Sequence, residues 1–178
     1  MNAHVLLSAG LLIPALVFAQ GDVGEAGSPA PEVKAAQELV GKYLAAVKAK
    51  KWAEAKKFLH PDTVKAIAER KKRLGKEDHP MAPWYHEKAS YYLKELKVTG
   101  ARPAAVGTVV VETSEDNFQV EEKGLAEGEM ASYLVGKKGG KWYLVDKKRG
   151  ESFTDDSIKL GYKGYFDKPG ESTKGEEE

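Results

Sequence analysis

The 178-residue sequence contains no cysteine, and this absence removes several kinds of chemistry at once. Without a thiol there are no disulfides, no thiolate zinc or iron–sulfur sites, no cysteine nucleophile and no lipid-modified leader cysteine. An excess of charge of either sign is also missing, because 28 Lys and Arg residues nearly balance 27 Asp and Glu residues, for a net charge of +1. A dedicated nucleic-acid-binding domain is clearly basic, so nucleic acid is not an expected partner.

The short motifs that mark common active sites are absent as well. The sequence has no G-x-S-x-G nucleophile elbow and no glycine-rich phosphate loop. The three histidines beyond the N-terminal region, His60, His79 and His86, do not have the spacing of a local metal-ligand motif. We therefore expect them in loops or at the surface, and no metal or cofactor is indicated.

The longest apolar run lies at the N-terminus. Residues 1–19 read MNAHVLLSAGLLIPALVFA, and their uncharged stretch from Val5 to Phe18 is too short to cross about 30 Å of hydrocarbon as a helix. Val17 and Ala19 are suitable residues for the positions that precede a signal-peptidase cut. The pattern predicts a signal peptide, and hence an exported protein, periplasmic or secreted, that is not a lipoprotein. No later segment is apolar enough to predict a membrane span.

Composition divides the rest of the chain into three parts. Residues 20–31 are rich in Gly, Ala and Pro, which predicts a flexible lead-in. Residues 32–167 are close to the usual size of one domain, and 42% hydrophobic with 31% charged residues overall is typical of a folded, soluble protein. Residues 168–178 read KPGESTKGEEE and are expected to form a disordered polar tail.

Three amphipathic helices are predicted before any strand. Apolar residues recur at helical spacing over Ala36–Val47 and again over Trp52–Leu59. After His60 and Pro61, Asp62 has the chemistry of an N-cap for a third helix that would end at Gly75. Each helix has a single apolar stripe and therefore needs one partner surface.

From about Ala89 onward, four runs of β-type residues predict strands: ASYYLKELKVT, AAVGTVVVETS, MASYLVGKK and KWYLVDKK. Lys138–Lys141 reads KGGK, a strong signal for a short hairpin, and residues 99–103 are expected to link the first two strands. Strands joined by such short links pair antiparallel. Helices followed by a meander predict an α+β fold, with N-terminal helices packed against a curved antiparallel sheet.

This order of elements resembles the NTF2-like superfamily, and exported bacterial members with a lumazine-binding-like or steroid-isomerase-like cone are the most similar. The resemblance rests on packing and turn features and covers most of residues 32–148; the matching segments are Ala36–Val47, Trp52–Leu59 with Pro61 and Asp62, Ala104–Val111, and Tyr133–Asp146. It implies a conical pocket between a long helix and the sheet. Members of that family use the cone variously for catalysis, ligand binding or protein association, so the fold does not settle the function. Homodimers are common among them.

Aromatic and titratable residues concentrate where the resemblance places the mouth of the cone. Trp84, Tyr85, His86 and Tyr92 form a candidate binding site for a small apolar or aromatic ligand. The same residues also suit packing of a helix against the sheet, with the phenol oxygens reaching water. A pocket His or Tyr would be needed for an alternative function as an enzyme of the steroid-isomerase or dehydratase type.

Charge is uneven along the chain although it cancels overall. Between Lys48 and Lys76 there are 11 basic residues and three acidic ones, and the densest part is Arg70, Lys71, Lys72 and Arg73. This helical face could attract an anionic envelope partner, or it could simply be the solvated side of its helix. The sequence thus predicts an exported, non-catalytic binding or accessory module, with the enzyme and the basic interaction module as alternatives.

Overall fold

The computed structural model describes residues 30–75, 79, 81–82, 91–119 and 123–167. In these parts of the chain helices precede and follow one antiparallel sheet, which confirms the α+β class. The elements are α1 (Pro31–Lys48), α2 (Trp52–Lys56), α3 (Pro61–Leu74), β1 (Tyr91–Ala104), a 3₁₀ turn (Ala105–Gly107), β2 (Thr108–Gln119), β3 (Gly124–Lys138), β4 (Lys141–Arg149) and α4 (Asp155–Gly161). The predicted pocket residues Trp84, Tyr85 and His86 lie outside the described residues, as do the predicted leader and tail.

Helix α1 forms where the apolar spacing predicts it. Pro31 occupies the first turn, where its missing N–H costs no helical hydrogen bond. One side of the helix is buried against β1, β2 and β4. This buried stripe consists of Val33, Ala36, Val40, Tyr43, Leu44, Ala46 and Val47.

The second predicted helix is shorter than expected. Helix α2 ends at Lys56, and Leu59 instead forms a parallel bridge with Leu144 of β4. The amide of His60 donates to the Leu144 carbonyl at 2.7 Å, and the Leu144 amide donates to the Phe58 carbonyl at 2.8 Å. Backbone pairing with the edge of the sheet therefore replaces the last helical turn.

Helix α3 begins two residues earlier than predicted. His60 is the N-cap, because its ring accepts a hydrogen bond from the Asp62 amide, and Pro61 occupies the first helical position. The expectation that Asp62 is the N-cap is therefore wrong. Gly75 ends the helix with φ 69°, in the left-handed conformation that glycine adopts without a steric penalty, as predicted.

The four strands form one sheet in the order β1-β2-β3-β4, with all neighbours antiparallel. The predicted hairpin at Lys138–Lys141 joins β3 to β4. The predicted link at residues 99–103 is wrong, because β1 continues to Ala104 and turns at Ala105–Gly107. An edge strand tolerates Pro103, since a residue at an edge can lack one ladder hydrogen bond.

Both faces of the sheet bury apolar residues. The inner face carries α1, and Val109, Val111, Tyr133 and Val135 point into that core. The outer face carries helix α4, which the sequence did not predict; its core consists of Val110, Leu134, Val145, Phe153 and Ile158. Helix α4 begins with a capping box in which the side chains of Thr154 and Ser157 each accept from the other residue's amide.

No helix in the described part of the chain is both long and apolar enough to cross a membrane.

Candidate functional site

Helix α3 is fixed to the sheet by its N-terminal half. Thr63 and Ile67 are buried, and the Thr63 hydroxyl donates to the Val145 carbonyl of β4 at 2.6 Å. Because this side of the helix meets the sheet, the remaining side faces outward. The basic residues of the predicted interaction face lie in the last two turns of α3, away from this anchor.

A groove of about 410 Å³ lies along one face of α3. It is lined by Ala66, Glu69, Arg70 and Arg73 of the helix and by His79. The four helical residues are spaced i, i+3, i+4 and i+7, which places them on one face of an α-helix. The tertiary structure therefore brings together two of the four predicted interaction residues and adds a histidine that sequence reasoning had assigned only a loop or surface role.

The other two predicted interaction residues lie outside this lining. Lys71 and Lys72 are exposed, as is Arg73, whereas Arg70 is half-buried. Lys71, Lys72 and Arg73 also occupy the C-terminal turn of α3, where positive charge interacts favourably with the helix dipole. The cluster thus has a structural contribution that must be separated from any binding role by experiment.

Of the four residues of the predicted aromatic pocket, only Tyr92 is among the described residues. Tyr92 lies in β1, with its Cα opposite that of Phe118 in β2. Because Trp84, Tyr85 and His86 lie outside the described residues, the pocket stays a prediction.

A second polar cluster, which sequence reasoning missed, is buried on the inner face of the sheet. The Glu115 carboxylate of β2 accepts from the Tyr133 hydroxyl at 2.5 Å and from the Lys147 ammonium at 2.9 and 2.8 Å. The three residues lie on three successive strands, and Tyr133 is paired directly with Lys147. The Tyr133 ring also packs edge-on against Tyr43 of α1, with 6.5 Å between ring centroids.

Ionisation in this cluster is governed by burial and by the ion pair. Burial alone raises the pKa of Glu115, but the adjacent Lys147 ammonium holds that pKa below its usual range. Burial, reinforced by the Glu115 carboxylate, raises the pKa of Tyr133 well above its usual value. Glu115 is therefore ionised and Tyr133 is protonated at neutral pH.

The polar network extends along β2 toward the end of the sheet. The side-chain amide of Asn117 donates to Glu129 at 2.7 Å, and Arg149 lies 3.8 Å from the same carboxylate. Within the described residues, the buried Asn117 Oδ1 atom has no hydrogen-bond partner. The signal in the sequence was the alternation along β2, where Thr113, Glu115 and Asn117 continue the inward positions of Val109 and Val111.

This buried cluster is suited to holding β2, β3 and β4 in register. The Glu115 carboxylate is bonded to groups of this chain through both oxygens, and the side chains of Glu115 and Lys147 are only 2% and 4% exposed. In the described residues there is no group of three or more His, Asp or Glu side chains placed to hold a metal ion. Of the charged residues that line the α3 groove, in contrast, Glu69 and Arg73 are exposed and Arg70 is half-buried.

No family model and no curated protein matches the chain. Among solved structures, the intermembrane space region of the chloroplast protein ARC6 is similar at 14% identity, over 68% of this chain and 98% of that one. The TM-score of that alignment is 0.36. At this score the likeness supports no argument about fold or function.

Proposed function

We propose that this chain is an exported, non-catalytic binding module with an NTF2-like arrangement of helices on a curved sheet, and that it binds a linear anionic polymer through α3. The observation that carries the proposal is the groove of about 410 Å³, in which Arg70, Arg73 and His79 are accompanied by Ala66 and one acidic residue, Glu69. Its volume is within the range of about 300–1,000 Å³ that is usual for ligand sites.

The chemistry of the lining favours phosphate or carboxylate groups. A guanidinium presents several N–H donors in a planar fork that matches the geometry of both anions. Arg70 and Arg73 are one turn apart on α3, so their side chains can share one anionic group or bind two successive groups of a polymer. His79 completes the polar part of the lining, and its Nδ1 atom accepts from the Met81 amide at 3.1 Å.

The exposed lysines beside the groove favour a polymer over a single small anion. Lys71 and Lys72 continue the positive surface beyond the groove lining and would attract the neighbouring anionic groups of a chain. A concave site also admits a protruding polymer group more readily than the plane of a bilayer. The proposal therefore commits to a soluble polymer, and binding to a membrane surface is an outcome that the test must separate.

Two double variants with equal loss of charge test the groove. Arg70→Ala/Arg73→Ala removes two groove arginines, whereas Lys71→Ala/Lys72→Ala removes two positive charges from the same helix outside the groove. Alanine is the best helix former, so neither pair should unfold α3. Affinities for linear polyphosphate and for poly-glutamate are measured by calorimetry at low and at physiological salt.

We expect the arginine pair to weaken polymer binding by about tenfold or more, since a hydrogen bond to a charged group contributes roughly 1.5–3 kcal/mol. The lysine pair should reduce affinity by only a few fold and should mainly reduce its salt dependence. Equal losses in the two variants would contradict the groove as the binding site. Binding to phosphatidylglycerol vesicles without binding to either polymer would replace the polymer with a membrane surface.

A further inference from the structure

His60 is completely buried, with 0% of its surface exposed, at the junction of α3, β4 and the C-terminal part of the chain. His60 was expected in a loop or at the surface; it lies in the loop before α3 but is not at the surface. Its Nδ1 atom accepts from the Asp62 amide at 3.1 Å, and its Nε2 atom lies 2.9 Å from the Tyr165 carbonyl oxygen. Both ring nitrogens are therefore used, one to cap α3 and one to hold a distant segment.

These two hydrogen bonds fix the protonation state of the ring. A carbonyl oxygen can only accept, so Nε2 carries a proton, and an amide N–H can only donate, so Nδ1 carries none. The neutral Nε2–H tautomer satisfies both partners. A second proton on Nδ1 would point an N–H at the Asp62 N–H and remove the cap of α3.

Residues 162–167, which we call the C-terminal strap, are the segment that His60 holds. The Tyr165 ring stacks on the His60 ring at a centroid distance of 5.3 Å and an interplanar angle of 20°. The Asp167 carboxylate accepts from the amides of Gly139 and Gly140, each at 3.0 Å, in the β3–β4 turn. The strap therefore connects the N-terminus of α3 with the hairpin.

The strap also packs closely on β3. A Cβ atom built on Gly136 would lie 2.2 Å from the Phe166 ring, so only glycine leaves room for that ring. The Lys138 ammonium donates to the Gly164 carbonyl at 3.2 Å, and the Asp167 amide donates to the Lys137 carbonyl at 3.1 Å. Among the groups that hold the strap, the His60 imidazole is the one whose ordinary pKa is close to neutral pH.

Charged and titratable groups approach His60 from each neighbouring element. Asp62 of α3 places a carboxylate oxygen 3.6 Å from Nδ1, and Lys138 and Asp167 act on the ring from the hairpin and the strap. The rings of Tyr143, Tyr165 and Phe166 also contact the imidazole. Burial lowers the pKa of His60 below its ordinary value, although the Asp62 and Asp167 carboxylates and the hydrogen bond to the Tyr165 carbonyl each favour the charged ring.

We propose that His60 is a pH-sensitive latch, which holds the C-terminal strap while the imidazole is neutral and releases it when the imidazole is protonated in mildly acidic solution. Opening the strap exposes the ring to water, where it takes up a proton more readily than in the closed state. Acid therefore favours the open state, and the effect develops as the pH falls below about 6.5, the ordinary histidine value. Protonation of Nδ1 also removes the side-chain cap of α3.

Amide hydrogen exchange of the full chain, measured by NMR, tests the latch. The amides of Gly139, Gly140 and Asp167 report directly on the strap. After correction for intrinsic exchange, we expect their protection to fall by about ten- to thirtyfold as the pH is lowered from about 7.5 to about 5. The upper value is the largest effect that a histidine with the ordinary pKa in the open state can produce. Amides in the middle of β2 and β3 should stay protected over the same range.

Two variants separate the latch from general acid sensitivity. His60→Asn keeps a side-chain acceptor for the Asp62 amide but cannot be protonated, so the strap should be weaker at every pH and its pH dependence should be lost. Asp167→Asn should loosen the strap and retain the pH dependence. Strap protection that is constant to about pH 5 in the unmodified chain, or that falls equally in His60→Asn, would overturn the latch.

A direct titration of His60 in the unmodified chain keeps the proposal testable if His60→Asn does not fold. The nitrogen chemical shifts of the ring should show the Nε2–H tautomer and a pKa below the ordinary histidine value. An Nδ1–H tautomer, or a pKa at or above that value, would overturn the latch.

Discussion

The Lys147 ammonium lies 2.8 Å from the Glu115 carboxylate in a part of the sheet where the two side chains are 4% and 2% exposed. The Tyr133 hydroxyl donates to the same carboxylate at 2.5 Å, and the Lys147 ammonium lies 5.0 Å from the centre of the Tyr133 ring. Desolvating two charges is costly, and their mutual attraction offsets the cost only while both are present. The ion pair therefore links β2 to β4 across the intervening strand β3.

A double-mutant cycle measures this dependence. Lys147→Met or Glu115→Gln alone removes one partner of a buried pair and should lower the free energy of unfolding by about 3–5 kcal/mol. The double variant should lose clearly less free energy of unfolding than the sum of the two single losses, because it leaves no uncompensated buried charge. Urea denaturation of the four proteins gives the coupling free energy, and additive losses would show that the two side chains do not interact.

Because of Tyr133, the free energy of unfolding should fall at alkaline pH. Burial, together with the Glu115 carboxylate, raises the pKa of this phenol in the folded state, whereas in the unfolded chain it loses its proton near pH 10. Its contribution to stability is therefore complete below about pH 10 and is lost as the pH rises further. Urea midpoints should fall less steeply above about pH 10 in Tyr133→Phe than in the unmodified chain. Equal slopes in the two proteins would contradict the assignment.

A pair of glycine substitutions tests how closely the C-terminal strap is packed. Gly136→Ala places a methyl group in the Phe166 ring and should destabilise the domain by about 1–3 kcal/mol. Gly41→Ala is the matched control, because nothing lies within 4 Å of its added Cβ in α1. Since alanine is the better helix former, Gly41→Ala should stabilise the domain by up to about 1 kcal/mol. Thermal melting distinguishes the two, and a neutral Gly136→Ala would show that Phe166 is not held against β3.

Local patterns in the sequence predicted most of the secondary structure. The spacing of Val40, Tyr43, Leu44 and Val47 indicates α1 because a helix returns to the same face every three to four residues. Gly75 and the KGGK turn were placed correctly because their conformations depend mainly on the residues themselves. The N-cap of α3 was misplaced because a histidine ring can replace an Asp side chain as the acceptor.

The link between the first two strands was misplaced for a different reason. Gly100 and Pro103 are turn-forming residues, but β1 continues through them by pairing Gly100 with Glu112 and Pro103 with Val109 of β2. A register shift between Val98 and Gly100 absorbs the irregularity. Such pairing involves residues on another strand, so no local pattern in β1 indicates it.

By itself, the sequence determined the α+β order, the amphipathic faces of the helices and the basic character of α3, because propensity, periodicity and charge are properties of neighbouring residues. Only the tertiary structure decided that Arg70 and Arg73 share a groove with His79, that Glu115 meets Lys147, and that His60 holds Tyr165. Glu115 and Lys147 are 32 residues apart, and His60 and Tyr165 are 105 apart. Strand register and packing bring these side chains together, and both depend on the whole chain.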